Sequence, residues 1–401
     1  MFGNYKKKKR TYPFGIVKPE KLLLLLLLIF VMGFPFWMWI AWLYRDKTEM
    51  KIVVLDKTVV TAQGNEHESF NWILTHYKYC KPDRSLYSKR EDYFGFYPMY
   101  NEKFLLRDFE KYSFGKIDSI ATANDMAYYT DTYGVYNNEW YLDKGLLERS
   151  KMVYGGTTNK EMRLLKKLKE QKKLILTEFN VIASPTKPSI RKDFESTFGV
   201  KWTGWVGRYY DVLDTAKNKE LPKWLTNNYM KQHNNQWPFK KSGIVFVRED
   251  DHIEVLEDGT HLENDLPYIY TNKENREKYH LPPVQKYPYW FDIMKTSRNN
   301  NVVSVYSIKP NAKGDSIMKT YNILKDFPAV IEHYGDDYKF YYFAGDFADN
   351  PIGLKLSRFR GIRFFRKYLY NSQLKGDREE FFWEYYTPLV TSILKKYKPL
   401  N

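Results

Sequence analysis

Cysteine is almost missing from these 401 residues, with Cys80 the only one. A disulfide framework within the chain is excluded, and so is any zinc or iron–sulfur site built from several thiolates. The seven histidines are scattered, with no H-E-x-x-H or comparable spacing, so each reads as an ordinary core or surface residue. Neither a G-x-G-x-x-G fingerprint nor a P-loop occurs, which argues against a nucleotide site. Internal repeats and long low-complexity linkers are also missing. The sequence therefore predicts no cofactor and no metal.

Aromatic residues and positive charge are abundant. Aromatics make up 18% of the chain, with 35 Tyr and 11 Trp. A tyrosine-rich core accounts for this, and a cleft whose rings stack on sugars is the sharper alternative. The net charge is +16. The first 44 residues hold Lys6, Lys7, Lys8, Lys9, Arg10, Lys18 and Lys21 against one acid, Glu20. Beyond them, bases and acids interleave without a nucleic-acid-binding motif, so nucleic acid is not an expected partner.

Leu22–Leu43 reads LLLLLLLIFVMGFPFWMWIAWL, an uncharged run. As one helix it would span roughly 33 Å, about the hydrocarbon thickness of a bilayer. Gly33 and Pro35 are tolerated in such a helix. Trp37, Trp39, Trp42 and Tyr44 crowd the end where amphipathic rings favour the interface. No small-residue cleavage site follows, so the run reads as a membrane anchor and not a removed signal peptide. The basic tail 1–21 outweighs Arg45, Lys47 and Lys51, which places the N-terminus in the cytoplasm and the remainder outside.

From residue 50 onward, short β-branched runs alternate with amphipathic helices, the pattern of βαβ units and a mostly parallel sheet. Strands are expected at KIVVL (51–55), IDSIATA (117–123), SKMVYGG (150–156) and KKLILTEF (172–179). Helices are expected over 69–79, from the capping box Thr158-Asn159-Lys160-Glu161 to about Gln171, and over Ser189–Phe198, closed by Gly199. The second half is strand-rich. SGIVFV (242–247) and HIEVLEDG (252–259) form a hairpin or edge pair; NVVSVYSI (301–308), AVIEHY (329–334) and YKFYYFAGDF (338–347) extend the sheet. GWVGRYYDVL (204–213) reads as a packed loop, or as a ligand wall of Trp205, Arg208 and Tyr209. A helix over 378–398 ends the chain, with a kink or restart at Pro388.

Two segments carry a family resemblance: KMVYGGTTNKEMRLLKKLKEQKKLILTEFN (151–180), a strand–GG–helix–strand unit, and YYFAGDFAD (341–349). This order resembles the class I glutamine-amidotransferase-like superfold, in particular its ThuA-like branch and the related domain of some β-galactosidases, over roughly residues 50–397. The resemblance implies an α/β fold, flavodoxin-like and three-layered. It also implies a nucleophilic cysteine at a G-x-C-x-G elbow and a histidine after the late strand. Here the elbow stretch is Thr177-Glu178-Phe179-Asn180, and the histidine is replaced by Asp346-Phe347-Ala348-Asp349. Both halves of the pair are missing, so glutaminase chemistry is not expected.

Acids stand at those positions instead. Glu178, Asp346 and Asp349 fall at the ends of strands, where open α/β sheets bind ligands. Asp131, with Tyr133 and Tyr136, follows a neighbouring strand, and Arg208 is a further candidate. Converging carboxyls could do acid/base work, bind a metal or hold sugar hydroxyls. Alternatively they cap helices and pair with Arg191 and Arg208. The combination predicts a single-pass membrane protein with a non-catalytic domain at 50–401. That domain would bind a glycan or a neighbouring membrane protein of the cell envelope, and membrane lipid would be met through the anchor. A carboxylate-dependent hydrolase of envelope carbohydrate is the alternative.

Overall fold

The computed structural model describes residues 19–61, 64, 66–141, 150–264 and 266–400, so most of the basic tail lies outside it. The apolar run forms two helices, α1 (Pro19–Met32) and α2 (Phe34–Leu43), which meet at a bend of 48°. Gly33 occupies the junction and Pro35 follows it; proline lacks the N–H a continuous helix needs there. This corrects the expected single span. No single described helix is long and apolar enough to cross a membrane, although the bent pair is, by length and composition. The halves differ in setting. The side chains from Leu22 to Val31 on α1 are exposed, whereas α2 buries Met38 and Trp42. The Trp42 indole donates to the Thr75 carbonyl at 3.1 Å, and Lys78 Nζ donates to the Leu43 and Arg45 carbonyls at 2.8 and 2.9 Å.

After α2 come β1 (Ile52–Asp56), α3 (Glu68–Tyr77), β2 (Phe94–Pro98), β3 (Phe104–Arg107), α4 (Phe114–Ala123) and β4 (Met126–Asp131). The chain continues with α5 (Asn159–Glu170), β5 (Leu174–Glu178) and α6 (Pro188–Phe198). A long excursion follows: β6 (Val200–Tyr210), α7 (Lys223–Gln232), β7 (Gly243–Arg248) and β8 (Ile253–Glu257). Next are β9 (Tyr268–Thr271), α8 (Lys273–Tyr279), β10 (Val284–Lys286), β11 (Trp290–Thr296) and β12 (Asn301–Ser307). The chain closes with α9 (Ala312–Thr320), β13 (Asp326–Tyr334), β14 (Lys339–Phe343) and α10 (Thr387–Tyr397).

Ten strands form the main sheet, in the order β10-β9-β12-β13-β14-β5-β4-β1-β2-β3. Only β14, β5, β4, β1 and β2 run parallel to one another; β3 and the β13-to-β10 side are antiparallel. The expectation of a mostly parallel sheet is therefore corrected to a mixed sheet with a parallel core. β13 returns into β14 through a tight turn, which can only pair antiparallel, whereas β9–β10 and β12–β13 are antiparallel across connections that carry α8 and α9. A second, antiparallel sheet has the order β8-β7-β6-β11.

Successive strand residues face opposite ways, and this builds the layers. Tyr128 packs edge-on against Phe70 of α3 and hydrogen-bonds the Tyr386 hydroxyl at 3.0 Å. Its neighbour Tyr129 points to the other face and donates to the Glu161 carbonyl of α5 at 3.0 Å. Helices thus cover both faces, with α3 and α10 on one and α4, α5 and α6 on the other.

IDSIATA is helical, not a strand. Ser113 caps α4 by accepting from the Lys116 N–H, and Ile117 and Ala121, one turn apart, are buried. SKMVYGG does contain a strand, 152–154, but it pairs with 135–136 outside the main sheet. GWVGRYY is strand and not loop, within β6. The irregularity expected at Pro388 takes the form of a π turn over Phe382–Tyr386, directly before α10.

Candidate functional site

Strands β1, β4, β5 and β14 deliver their C-terminal ends to one edge of the sheet, bringing Asp56, Asp131, Glu178 and the 344–350 loop together. A cleft of about 410 Å³ opens there. Thr58, Glu66, Asp131, Asn180, Asp346 and Asp349 line it from the main sheet. The second sheet supplies the facing wall with Trp202, Val206, Arg208, Val247, Tyr289 and Trp290. Strand register explains that wall. Arg208 on β6 lies directly opposite Trp290 on β11, and opposed residues share a face. The Arg208 guanidinium sits 4.5 Å from the Tyr210 ring, 5.3 Å from Tyr289 and 5.4 Å from Trp290. On the opposite face Gly207 leaves room for its register partner Phe291, whose ring would lie 2.2 Å from a Cβ there.

The carboxyls fall into two groups. Asp349 is held: Arg378 ion-pairs with it at 3.2 Å, and Tyr289 donates to it at 3.0 Å. Arg378 also stacks 3.8 Å over Tyr289, which ties the loop to the aromatic wall. Asp131 accepts from the Tyr133 N–H at 2.6 Å. Burial nevertheless drives its carboxyl well above the carboxylate range, and the charges of Asp56 and Asp292 add to the effect. Asp346 is raised in the same way, by burial and then by Asp349, Asp131 and Glu178, with Arg378 opposing. Glu66 is pushed up to about 8 by burial and by Asp56, and its Oε2 has no hydrogen-bond partner. Beside Glu66, His67 Nδ1 meets Asp56 at 2.8 Å and its Nε2 meets the Lys89 carbonyl at 2.8 Å. Burial alone would depress this imidazole, but its bond to Asp56 and the charge of Asp56 raise it.

Of the residues singled out in the sequence, Asp131, Tyr133, Arg208, Asp346 and Asp349 line the cleft. Glu178 and Tyr136 do not line it. Glu178 is fully buried and accepts from the Phe347 and Ala348 N–H groups at 3.0 Å each, with the Tyr128 hydroxyl as a third donor. It clamps the loop that carries Asp346 and Asp349. Tyr136 is buried and packs 4.9 Å from the Tyr133 ring. Sequence reasoning missed Glu66, His67, Tyr289, Trp290 and Arg378. The E-H pair just before α3 and the aromatic run Y-P-Y-W-F (287–291) were the available signals. The turn at 177–180 passes through Asn180 at φ 63°, a left-handed residue that asparagine tolerates. The chain thus bends sharply after β5 with an amide, not a thiol, at the corner. Among the described residues, no three His, Cys, Asp or Glu side chains gather as a metal site would require.

These features define an α/β protein with a large mixed sheet and an acidic, aromatic-walled cleft at its carboxyl edge. No family profile matches the sequence, and no curated protein matches it. Among solved structures, it is similar to a putative ThuA-like protein from Bacteroides uniformis, at 11% identity and TM-score 0.36, over 79% of this chain and 90% of that one. A putative ThuA-like protein from Parabacteroides merdae matches at 10% identity and TM-score 0.36, over 79% and 88%. β-Galactosidase from Bacillus circulans sp. alkalophilus matches at 8% identity and TM-score 0.33, over 77% of this chain and 30% of that one.

Proposed function

We propose that this chain is tethered to a membrane by its bent apolar helix pair, N-terminus in the cytoplasm, and that the cleft binds a glycan of the cell envelope without glutaminase chemistry. The observation that carries the reading is the composition of one cleft: carboxyls and Asn180 on one side, Tyr289, Trp290 and Trp202 on the other. Sugar rings present hydroxyls at their rim and C–H groups on their faces, so they suit a pocket with polar groups opposite flat rings. The tether is supported by the apolar run and its basic flank. A neighbouring envelope protein is the partner expected if the cleft takes a side chain or chain end instead.

The test is a glycan array probed with the detergent-solubilised chain, followed by calorimetry on the hits. Trp290→Ala and Asp346→Asn should each weaken binding about tenfold or more, a loss of ~1.4 kcal/mol or above. No glycan binding at millimolar concentration would sink the reading.

One observation favours a second reading, a carboxylate-dependent hydrolase. Glu66, at about 8 and with a free oxygen, holds its proton at neutral pH as a general acid must. The same panel assayed for released reducing sugar separates the two. Hydrolysis abolished by Glu66→Gln, with binding kept, would select the hydrolase.

A further inference from the structure

We infer that the strap 354–370, together with the outer face of α2, is a second membrane-contact surface that takes anionic phospholipid headgroups; this rests on the tether proposed above. The strap runs through two 3-10 turns, Leu354–Arg358 and Ile362–Tyr368. Its inward residues Ser357 and Ile362 are buried, so it is seated on the domain. Its outward residues are unlike an ordinary water-facing loop. Phe364 is 85% exposed and Tyr368 87%. Lys355, Arg358, Arg360, Arg363, Arg366 and Lys367 stand among them, and no acid occurs in the segment. Arg366 pairs with Glu384 at 2.8 Å, and Arg363 donates to the Tyr77 hydroxyl at 3.2 Å. Among the described residues Lys355, Arg358, Arg360 and Lys367 make no ion pair, and all four are exposed.

The strap's position selects the partner. The Phe365 ring packs edge-on against Phe34 at 5.6 Å, the Arg360 N–H donates to the Met38 carbonyl at 3.1 Å, and Arg358 lies 5.8 Å from the Trp42 ring. Phe34 is the first residue of α2, immediately beyond the bend at Gly33. The strap therefore sits where α1 leaves the domain. If α1 enters a bilayer, the strap lies at the level of the headgroups. On α2, the exposed Phe36, Trp37 and Trp39 continue the same aromatic surface. A leaflet meets both demands at once. Rings settle at the boundary of headgroup and acyl chain, while arginine and lysine reach the phosphates.

The experiment uses the full chain reconstituted in phosphatidylcholine vesicles, with and without a minority of phosphatidylglycerol. A solvatochromic fluorophore is attached through Phe364→Cys, or through Lys116→Cys on α4 as a control. Cys80 is buried and stays unlabelled. The label at 364 should shift to the blue, and its quenching by aqueous acrylamide should fall several-fold relative to 116, more so with the anionic lipid. Arg358→Glu, Arg360→Glu and Lys367→Glu together should abolish the anionic-lipid increment while near-ultraviolet circular dichroism and co-flotation persist. Equal quenching at 364 and 116 in both lipids, with the chain still floating, would overturn the headgroup contact while leaving the tether standing. Failure of the chain to float with vesicles would remove the tether, and this inference with it.

Discussion

Glu66 sits where water, neighbouring acids and its own charge are in conflict. Its carboxyl is raised from the ordinary value of 4.5 to about 8. Between those values the folded chain holds a proton that the unfolded chain has released. Stability is therefore full below about pH 4.5 and falls as pH rises toward 8. Asp292, raised to about 7 by burial, acts in the same sense. His76, lowered to about 4 by burial, acts oppositely below the ordinary histidine value. Comparing one variant with the parent cancels these other groups. Glu66→Gln is expected to match the parent Tm at pH 5 and to exceed it at pH 8, by about 1–2 °C for each kcal/mol recovered in a folded unit of this size. A thermal scan across that range checks it, and equal Tm values at pH 8 would show that the carboxyl is not strained by its charge.

At the scale of elements, α5 shows how local and distant forces share one residue. Glu161 closes the capping box with Thr158, accepting from the Thr158 N–H at 2.8 Å. It also ion-pairs with Lys57 at 2.7 Å, both side chains about 1% exposed. Thr158→Ala should cost about 1 kcal/mol, the value of a lost cap. Lys57→Met should cost about 3–5 kcal/mol, because Glu161 would be left buried and unpaired. Adding Glu161→Met should recover much of that loss. Urea unfolding of the three variants tests the order, and similar losses for the two single variants would contradict it. The contrast also explains what was legible in the sequence. The start of α5 is written in four consecutive residues, and β1, β5 and β14 in dense apolar runs. Ile117 and Ile120 suit a strand by propensity, yet Ser113 and the burial of one helical stripe make α4. Gly204 and Gly207 suggest a loop, yet pairing on both sides by β7 and β11 makes β6. The cleft was legible only as strand ends. Glu66 reaches it from a turn, Arg378 holds its Asp349 from the first residue of the short helix Arg378–Phe381, and Glu178 turned inward because the 347–348 amides offered it partners.

Across the whole molecule, the two sheets share one hydrophobic cluster. Trp202, Phe246, Phe291 and Met294 of the second sheet pack in the same core as Leu176, Ile331 and Phe343 of the main sheet. The far side of the second sheet has a small cluster of its own, with α7, and Phe96, Val135 and Trp140 form another beside β2. Thermal unfolding followed by near- and far-ultraviolet circular dichroism should therefore give coincident transitions. Two separated steps would mean that the cleft walls come apart independently. The wall formed by α3 and α10 joins residues far apart in the chain: the Tyr79 hydroxyl donates to the Lys398 carbonyl at 3.3 Å, and Tyr397 to the Asp125 carbonyl at 2.8 Å. Phe382, Trp383, Tyr386 and Ile393 fill the core between them. A polypeptide emerging from the ribosome releases residue 79 long before residue 397, at roughly 5–20 residues per second. During those tens of seconds only α3 covers that face of the parallel strands, and the apolar surface awaiting α10 must be shielded by something other than the chain itself.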